Sequence, residues 1–125
     1  MDRIDSYRDL LVWQRGMLLA EQVYALTRTY PSDERFGLTA QTRRASVSVP
    51  ANIAEGYGRG TRAAYAGFLR IARGSLKELE THLLLARRLG MAASEPVDKM
   101  LADCDEIGRM LQALISRLRE IKAAP

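Results

Sequence analysis

Apolar residues recur three and four positions apart in four segments of this chain, which is the spacing of one helical face. The first segment runs from about Asp9 to Arg28, with a row expected to face the core at Leu10, Trp13, Met17, Ala20 and Tyr24. A second apolar row lies around the same helix at Val12, Leu19, Val23 and Leu26. Because one bundle core cannot bury both rows, the second row is predicted to form the interface of a homo-oligomer.

The second segment is predicted to be one helix from about Leu38 to Gly56, with Thr39 as its cap and Pro50 inside it. Its inward row is Leu38, Thr42, Ala45, Val49 and Ile53. Pro50 has no N–H to donate to the carbonyl of Ser46, so the helix must bend there or break. A break with Val49 extended is the alternative, but the apolar row keeps its phase across the proline, which favours one bent helix.

The third segment is expected to begin after a cap at Thr61 and to stop at Gly90. Its inward row is Tyr65, Phe68, Ala72, Leu76, Leu79, Leu83 and Ala86. Glycines lie seven positions apart along this stretch, at Gly60, Gly67 and Gly74. Interior glycine weakens a helix, so the stripe predicts that another helix approaches closely there.

The fourth segment can be capped by Ser94, with Pro96 in its first turn. Its apolar seam is Val97, Leu101, Cys104, Ile107, Leu111, Leu114, Leu118 and Ile121. Cys104 belongs to this seam, which is typical of an inert core residue rather than a nucleophile. Four helices with short connections predict an all-α, up-and-down antiparallel four-helix bundle, with residues 1–125 as one domain.

Composition argues against several kinds of chemistry. The single cysteine and the single histidine, His82, leave no internal disulfide and no His/Cys cluster with metal-ligand spacing. Glu78 and His82 are four apart, and such a pair is more often a surface contact than half a metal site. We therefore expect no enzymatic activity, no catalytic residue, no cofactor and no metal. The polar start of the chain and the lack of about 20 consecutive apolar residues predict a cytoplasmic protein that does not enter membranes.

Basic charge is concentrated in the middle of the chain. Seven arginines and one acid, Glu55, lie between Arg35 and Arg73, giving this stretch a charge of +6 within a chain of net charge +4. The rest of the chain therefore sums to −2. The glycine-rich GYGRG, residues 56 to 60, follows no strand and fits no phosphate-loop fingerprint. It does bring Arg59 and Arg62 beside a predicted helix N-terminus, which favours anions.

Two functions from different classes follow from this charge. One is binding of RNA or other nucleic acid through phosphate contacts, at Arg59, Arg62, Arg70, Arg73, Arg43 and Arg44. The alternative is a solvated polar face in which Arg43, Arg44, Arg70 and Arg73 pair with Glu55, Glu78 and Glu80, within or between subunits. This alternative is preferred for Arg43 and Arg44, which adjoin core positions. The second function is a protein-interaction scaffold whose basic surface receives an acidic partner.

Four stretches of the chain resemble a known family: "DLLVWQRGMLLAEQVY", "FGLTAQTRRASVSVPANIAEGYGRGT", "FLRIARGSLKELETHLLLARRLG" and "MLQALISRLREI". They are similar to the four-helix-bundle proteins encoded in intervening sequences of large-subunit ribosomal RNA genes. The resemblance implies an up-and-down bundle with the proline inside a bent second helix. Through related accessory proteins of diversity-generating retroelements, it also implies a homopentamer and nucleic acid as a partner. Two residues depart from the family pattern. Thr42 stands where an apolar residue is usual, and Val49 stands where isoleucine is common.

Overall fold

The computed structural model describes residues 3–123, with side chains through residue 120. Its helices are α1 (Leu11–Thr27), α2 (Leu38–Tyr57), α3 (Arg62–Arg88) and α4 (Ser94–Ala123), with short 3₁₀ turns at Tyr7–Asp9 and Ser32–Glu34. Residues 3–123 contain no strand. Each helix packs against its neighbours in sequence, and α1 also contacts α4, so the four helices close into a ring. The predicted all-α four-helix bundle is confirmed.

Helix α1 faces the core with the opposite row from the one that the sequence predicts. Val12, Leu19 and Val23 are at most 6 % exposed within the single chain, whereas Met17 and Tyr24 are each 39 % exposed. On this buried face, a Cβ at Gly16 would lie 3.5 Å from the Pro50 ring, an ordinary van der Waals distance, so this side of α1 packs against α2.

For Val12, Leu19 and Val23, the predicted oligomer interface is therefore wrong. Val12, Leu19 and Val23 belong to the core of the single chain, and Leu26 packs against that core while half-buried. Among the residues expected inside, Leu10 and Trp13 are only partly buried, and Ala20 is buried. Val12, Leu19 and Val23, which are buried in the core of one chain, cannot also form the contact between chains.

Helix α2 runs without interruption through Pro50, which confirms the continuous helix. All five residues of its predicted row are buried, including Thr42, whose hydroxyl donates to the Leu38 carbonyl at 2.6 Å. That hydrogen bond explains how a polar residue fits a core position. The predicted cap is wrong: Thr39 lies inside the helix, and the Leu38 N–H donates instead to the Glu34 carboxylate at 3.0 Å.

Both ends of α3 follow the prediction. The Thr61 hydroxyl accepts from the Ala64 N–H at 3.2 Å. At the other end Gly90 has φ +75°, and the Met91 N–H donates to the Ala86 carbonyl at 2.9 Å, a Schellman stop. The inward row is buried from Ala72 to Ala86 and partly buried before it.

The glycine stripe does not mark a close helix contact within the chain. A Cβ added at Gly67 or Gly74 would meet no atom within 4 Å, and Gly60, with φ +86°, lies in the turn before α3. The close approach falls at Gly56 instead, where a Cβ would lie 2.7 Å from the Phe68 Cβ. It joins the end of α2 to the first half of α3, as antiparallel neighbours require.

Helix α4 begins at Ser94, so that residue is the first of the helix rather than its cap, and Pro96 lies in the first turn. Its buried residues are Val97, Met100, Cys104, Ile107, Leu111 and Ile115. Leu101, Leu114 and Leu118 pack against this core while half-buried, and the side chain of Ile121 lies outside the described residues. The seam is thus the predicted one, broadened by Met100 and Ile115.

Candidate nucleic-acid interface

The six arginines predicted to bind nucleic acid are distributed over different faces of the bundle. Arg43 contacts α1, whereas Arg73 contacts α4 on another side. Arg59 follows α2 in the turn before α3, and Arg62 and Arg70 lie on the exposed surface of α3. The structure therefore does not bring these six residues into one continuous surface.

Arg59 and Arg73 each have a hydrogen-bond partner within the chain. Arg59 donates to the Glu55 carboxylate at 2.6 Å, and its guanidinium lies 4.9 Å from the centroid of the Phe68 ring. Arg73 donates to the side-chain oxygen of Gln112 and is partly buried between α3 and α4. A phosphate at either residue would have to compete with an existing partner.

The remaining four have no carboxylate partner among the residues that the structure describes. Arg44, Arg62 and Arg70 are exposed, and none of the described ion pairs includes them. Among the described ion pairs, Glu80 pairs with Lys77 and Glu55 with Arg59, and none joins an arginine to Glu78 or Glu80. These arginines therefore remain available to an external anion.

Arg43 and Arg44 line an open groove of 620 Å³ along the first half of α2. Arg35, from the turn before α2, reaches the same groove, together with two aromatic residues. We call this surface the arginine groove and define it by Tyr24, Arg35, Phe36, Arg43, Arg44 and Val47. Three cationic side chains line it, and no carboxylate does.

Aromatic rings hold two of these guanidinium groups in position. The Arg43 guanidinium lies 4.5 Å from the centroid of Tyr24, and Arg35 lies 4.8 Å from the centroid of Phe36. Arg43 also donates through Nε to the Thr27 hydroxyl at 2.8 Å. Its two terminal nitrogens stay free to donate, so the side chain is oriented before any ligand arrives.

Sequence reasoning missed the aromatic part of this groove. The apolar pattern places Tyr24 in the core and gives no function to Phe36, which follows Arg35 in an otherwise polar turn. The groove combines residues from α1, from the turn and from α2, so their meeting depends on how α1 is rotated against α2. The one local signal was a large apolar residue placed just before a helix, where no core position is expected.

A separate apolar surface lies between α1 and α4, the neighbouring helices that touch least. Leu11 and Leu18 are both more than half exposed and are seven residues apart, so they share one face of α1. Further along, a groove of 450 Å³ opens beside Leu26, Pro96 and Met100. We call Leu11, Leu18, Ala25, Leu26 and Pro96 the α1–α4 face.

The titratable groups of the core offer little chemistry. Burial, followed by the charges of Glu80 and Asp103, raises the pKa of the Cys104 thiol from 9.0 to about 12, so the nucleophilic thiolate is scarce at neutral pH. Burial also raises the pKa of Tyr30 and of Tyr65. Within residues 3–120, no three side chains of the His, Cys, Asp and Glu types group in a way that suits a metal ion.

None of the helices, as far as the chain is described, has the length and apolar character needed to cross a lipid bilayer. The architecture is that of an all-α protein, a four-helix bundle in which neighbouring helices are antiparallel. Within that class, the chain belongs to the 23S rRNA-intervening sequence protein family, whose sequence model matches residues 8–113. The family resemblance noted in the sequence is thereby confirmed.

Among solved structures, the chain is similar to a protein of unknown function from the S23 ribosomal protein family of Bacteroides thetaiotaomicron VPI-5482, a crystal structure at 1.70 Å resolution. The two share 25 % sequence identity with a TM-score of 0.79, over 85 % of this chain and 96 % of the other. The comparison with curated proteins gives no significant match. The shared bundle covers almost the whole of the solved relative.

Proposed function

We propose that this protein is a non-enzymatic, homo-oligomeric helical bundle that binds RNA or other nucleic acid at the arginine groove. The observation that carries the proposal is the convergence of Arg35, Arg43 and Arg44 around an open groove with no carboxylate in its lining. Unpaired cations on one surface attract a polyanion, and phosphate contacts supply most of the affinity of such complexes.

The groove suits phosphate better than an ordinary polar face does. Arg43 is held by Thr27 and Tyr24, and this reduces the side-chain entropy that it loses when a ligand binds. Its free nitrogens can contact a phosphate in the bidentate manner that arginine favours. Arg44 and Arg35 line the same groove, are exposed and can contact neighbouring phosphates.

The arginines of α3 rank second in this proposal. Arg62 and Arg70 are exposed but lie away from the groove, and Arg59 and Arg73 already have partners in the chain. The sequence alone favours the four arginines at 59, 62, 70 and 73. A site on α3 and a site at the arginine groove therefore predict opposite rankings of the variants by lost affinity. One set of variants can therefore decide between them.

The test is a binding titration of fluorescently labelled generic RNA at low salt, followed by anisotropy. Changing Arg35 and Arg44 together to glutamine is expected to weaken binding by about tenfold or more, because two charge-assisted contacts are lost. Arg43 stays intact, because its loss would also remove packing against α1. The variant Arg62→Gln/Arg70→Gln is expected to lose much less.

A matched control removes the same charge elsewhere. Arg117 and Arg119 are exposed on α4, outside the groove, and Arg117→Gln/Arg119→Gln is expected to bind as the wild type does. If the α3 variant loses more affinity than the groove variant, the site belongs on α3 as the sequence predicts. If the wild-type protein binds no RNA at low salt, the proposal that it binds nucleic acid is wrong.

Protein interaction is the second candidate function, and the α1–α4 face is the observation that favours it. Leu11 and Leu18 are exposed apolar side chains on one face of α1, and exposed apolar side chains rimmed by polar ones are typical of interaction sites. We assign this face to contacts between copies of the chain, and the family resemblance suggests a pentamer. Absence of RNA binding together with an intact oligomer would favour the scaffold function, in which the basic groove receives an acidic protein.

A further inference from the structure

Phe36 is the most exposed large apolar side chain among the described residues, at 85 % of its full exposure. Its backbone is nevertheless fixed by short-range hydrogen bonds on both sides. Arg35 N–H donates to the Ser32 carbonyl at 3.2 Å, and Gly37 N–H donates to the Glu34 carbonyl at 3.0 Å. A phenylalanine held outward in an ordered turn keeps an apolar face in water and contributes nothing to the core.

The surroundings of this ring are cationic and aromatic. The Arg35 guanidinium lies over it, and Tyr24 with Arg43 repeats the same arrangement in the same groove. The groove therefore offers two aromatic side chains among three arginines. Such alternation of rings and cations matches the two parts of a nucleotide, because bases stack on rings and phosphates contact guanidinium groups.

We propose that Phe36, supported by Tyr24, is a stacking platform for unpaired bases, so that the ligand of the arginine groove is single-stranded nucleic acid. In a duplex each base face is covered by its neighbours, and a protein ring cannot stack on it without opening the helix. Contact with a duplex would use the arginines alone and leave Phe36 in water. This inference rests on the proposed function and specifies its ligand.

The groove also predicts weak sequence preference. Its lining carries no carboxylate and no carboxamide to recognise the edges of bases, whereas stacking accepts every base. Pyrimidine and purine strands are therefore expected to bind within a few-fold of each other. A protein partner with an exposed apolar residue would also contact Phe36, but it would give no difference between single and double strands.

The experiment uses the full chain and two labelled RNA ligands of about 12 nucleotides, one an oligouridine strand and one a duplex. The wild type is expected to bind the single strand more tightly. Phe36→Ala should weaken single-strand binding by about fivefold or more, the range of one lost stacking contact, and leave duplex binding unchanged. The matched control Leu89→Ala, exposed outside the groove, should leave both unchanged.

Phe36→Trp supplies a second readout. Tryptophan keeps a stacking ring, so this variant is expected to retain single-strand affinity, and its added fluorescence should be quenched when a base stacks on it. Since Trp13 is also present, the quenching is measured against the wild-type signal.

Two results separate the inference from the proposed function. If Phe36→Ala binds the single strand as tightly as the wild type does, while Arg35→Gln/Arg44→Gln binds weakly, the proposed stacking platform is wrong. The proposed phosphate site at the arginine groove is then retained. If the wild type binds neither RNA at low salt, the proposed function fails and the stacking platform fails with it.

Discussion

The glycine at position 56 is tightly surrounded, whereas those at positions 67 and 74 have open space around them. A Cβ at Gly56 would lie 2.7 Å from the Phe68 Cβ and 3.2 Å from Tyr65 atoms, whereas at Gly67 and Gly74 it would meet nothing within 4 Å. Gly56→Ala should therefore lower the free energy of unfolding by about 1–3 kcal/mol through overpacking. Gly74→Ala should raise it by up to about 1 kcal/mol, because alanine is the better helix former. Urea denaturation followed by circular dichroism measures both.

The outcome for Gly74→Ala also tests the glycine stripe. A stabilised variant with unchanged oligomer size means that the position faces solvent in the assembly as it does in the chain. Loss of oligomer would mean that a helix of another copy approaches there, as the sequence pattern predicts. The pattern alone cannot separate these cases, because an exposed glycine and one at a close contact leave the same spacing.

Cys104 gives a pH-dependent prediction. Burial raises its pKa from 9.0 to about 12, so the folded state holds this proton more tightly than the unfolded chain does. The free energy of unfolding should therefore be highest below pH 9 and fall as the pH rises from 9.0 toward 12, with Tyr30 and Tyr65 acting in the same direction. Urea midpoints across this range measure the fall, and Cys104→Ala should make it shallower.

Thiol reactivity checks the same residue. At about pH 8 the native protein should react with an aromatic disulfide reagent much more slowly than the urea-unfolded chain does. Rapid reaction of the native protein would show that Cys104 is accessible and would contradict its burial. Its core position was predictable, since the helical repeat of α4 includes it. The size of the pKa shift depends on Glu80 of α3 and Asp103 as well, and could not be predicted from spacing.

At the scale of the helix, Pro50 tests how α1 and α2 pack. Pro50→Ala restores an N–H for the Ser46 carbonyl but removes ring contacts with α1 at Gly16. These effects oppose each other, so the free energy of unfolding should stay within about 1 kcal/mol of wild type. Helicity by circular dichroism should be unchanged.

A matched core variant calibrates that measurement. Ile53 is fully buried one turn further along α2, and Ile53→Ala should cost about 2–5 kcal/mol. If Pro50→Ala is as destabilising as Ile53→Ala, the proline ring is an essential packing element. The prediction that Pro50→Ala is tolerated would then be wrong.

The buried faces of three helices could be predicted from the sequence, but the buried face of α1 could not. Helices α2, α3 and α4 each have one dominant apolar row, and the structure buries those rows almost as predicted. Helix α1 has two rows of similar character, so periodicity cannot choose between them. In the folded chain, the face of Val12 and Leu19 packs against α2, with Gly16 beside Pro50. That contact belongs to the tertiary structure.

At the scale of the whole molecule, self-association is predicted to use the α1–α4 face. Leu11→Glu/Leu18→Glu places two charges on an exposed apolar stripe, so the chain should keep its fold and sediment as a monomer at micromolar concentration. The matched control Leu85→Glu/Leu89→Glu, also exposed but at the end of α3, should keep the wild-type size. Sedimentation equilibrium measures all three proteins. A wild-type monomer would contradict self-association, and an intact Leu11/Leu18 variant would move the interface elsewhere.

The bundle and its elements followed from the sequence, whereas the candidate site did not. Of the residues that define the arginine groove, only Arg43 and Arg44 were predicted to bind, and a structural role was preferred for both. Tyr24, Arg35 and Phe36 come from two other segments and meet α2 only in the folded chain. Charge counted along the sequence located the basic region but not the face on which its arginines converge.

The most direct test of the proposed function is the salt dependence of single-stranded RNA binding by the wild type and by Arg35→Gln/Arg44→Gln. Each phosphate contact to a single strand contributes about 0.7 to the slope of log K against log salt, so the slope should fall in magnitude by about 1.4 in the groove variant. The Arg117→Gln/Arg119→Gln control should keep the wild-type slope. An unchanged slope in the groove variant, or an equal fall in the control, would contradict a phosphate-binding site at the arginine groove.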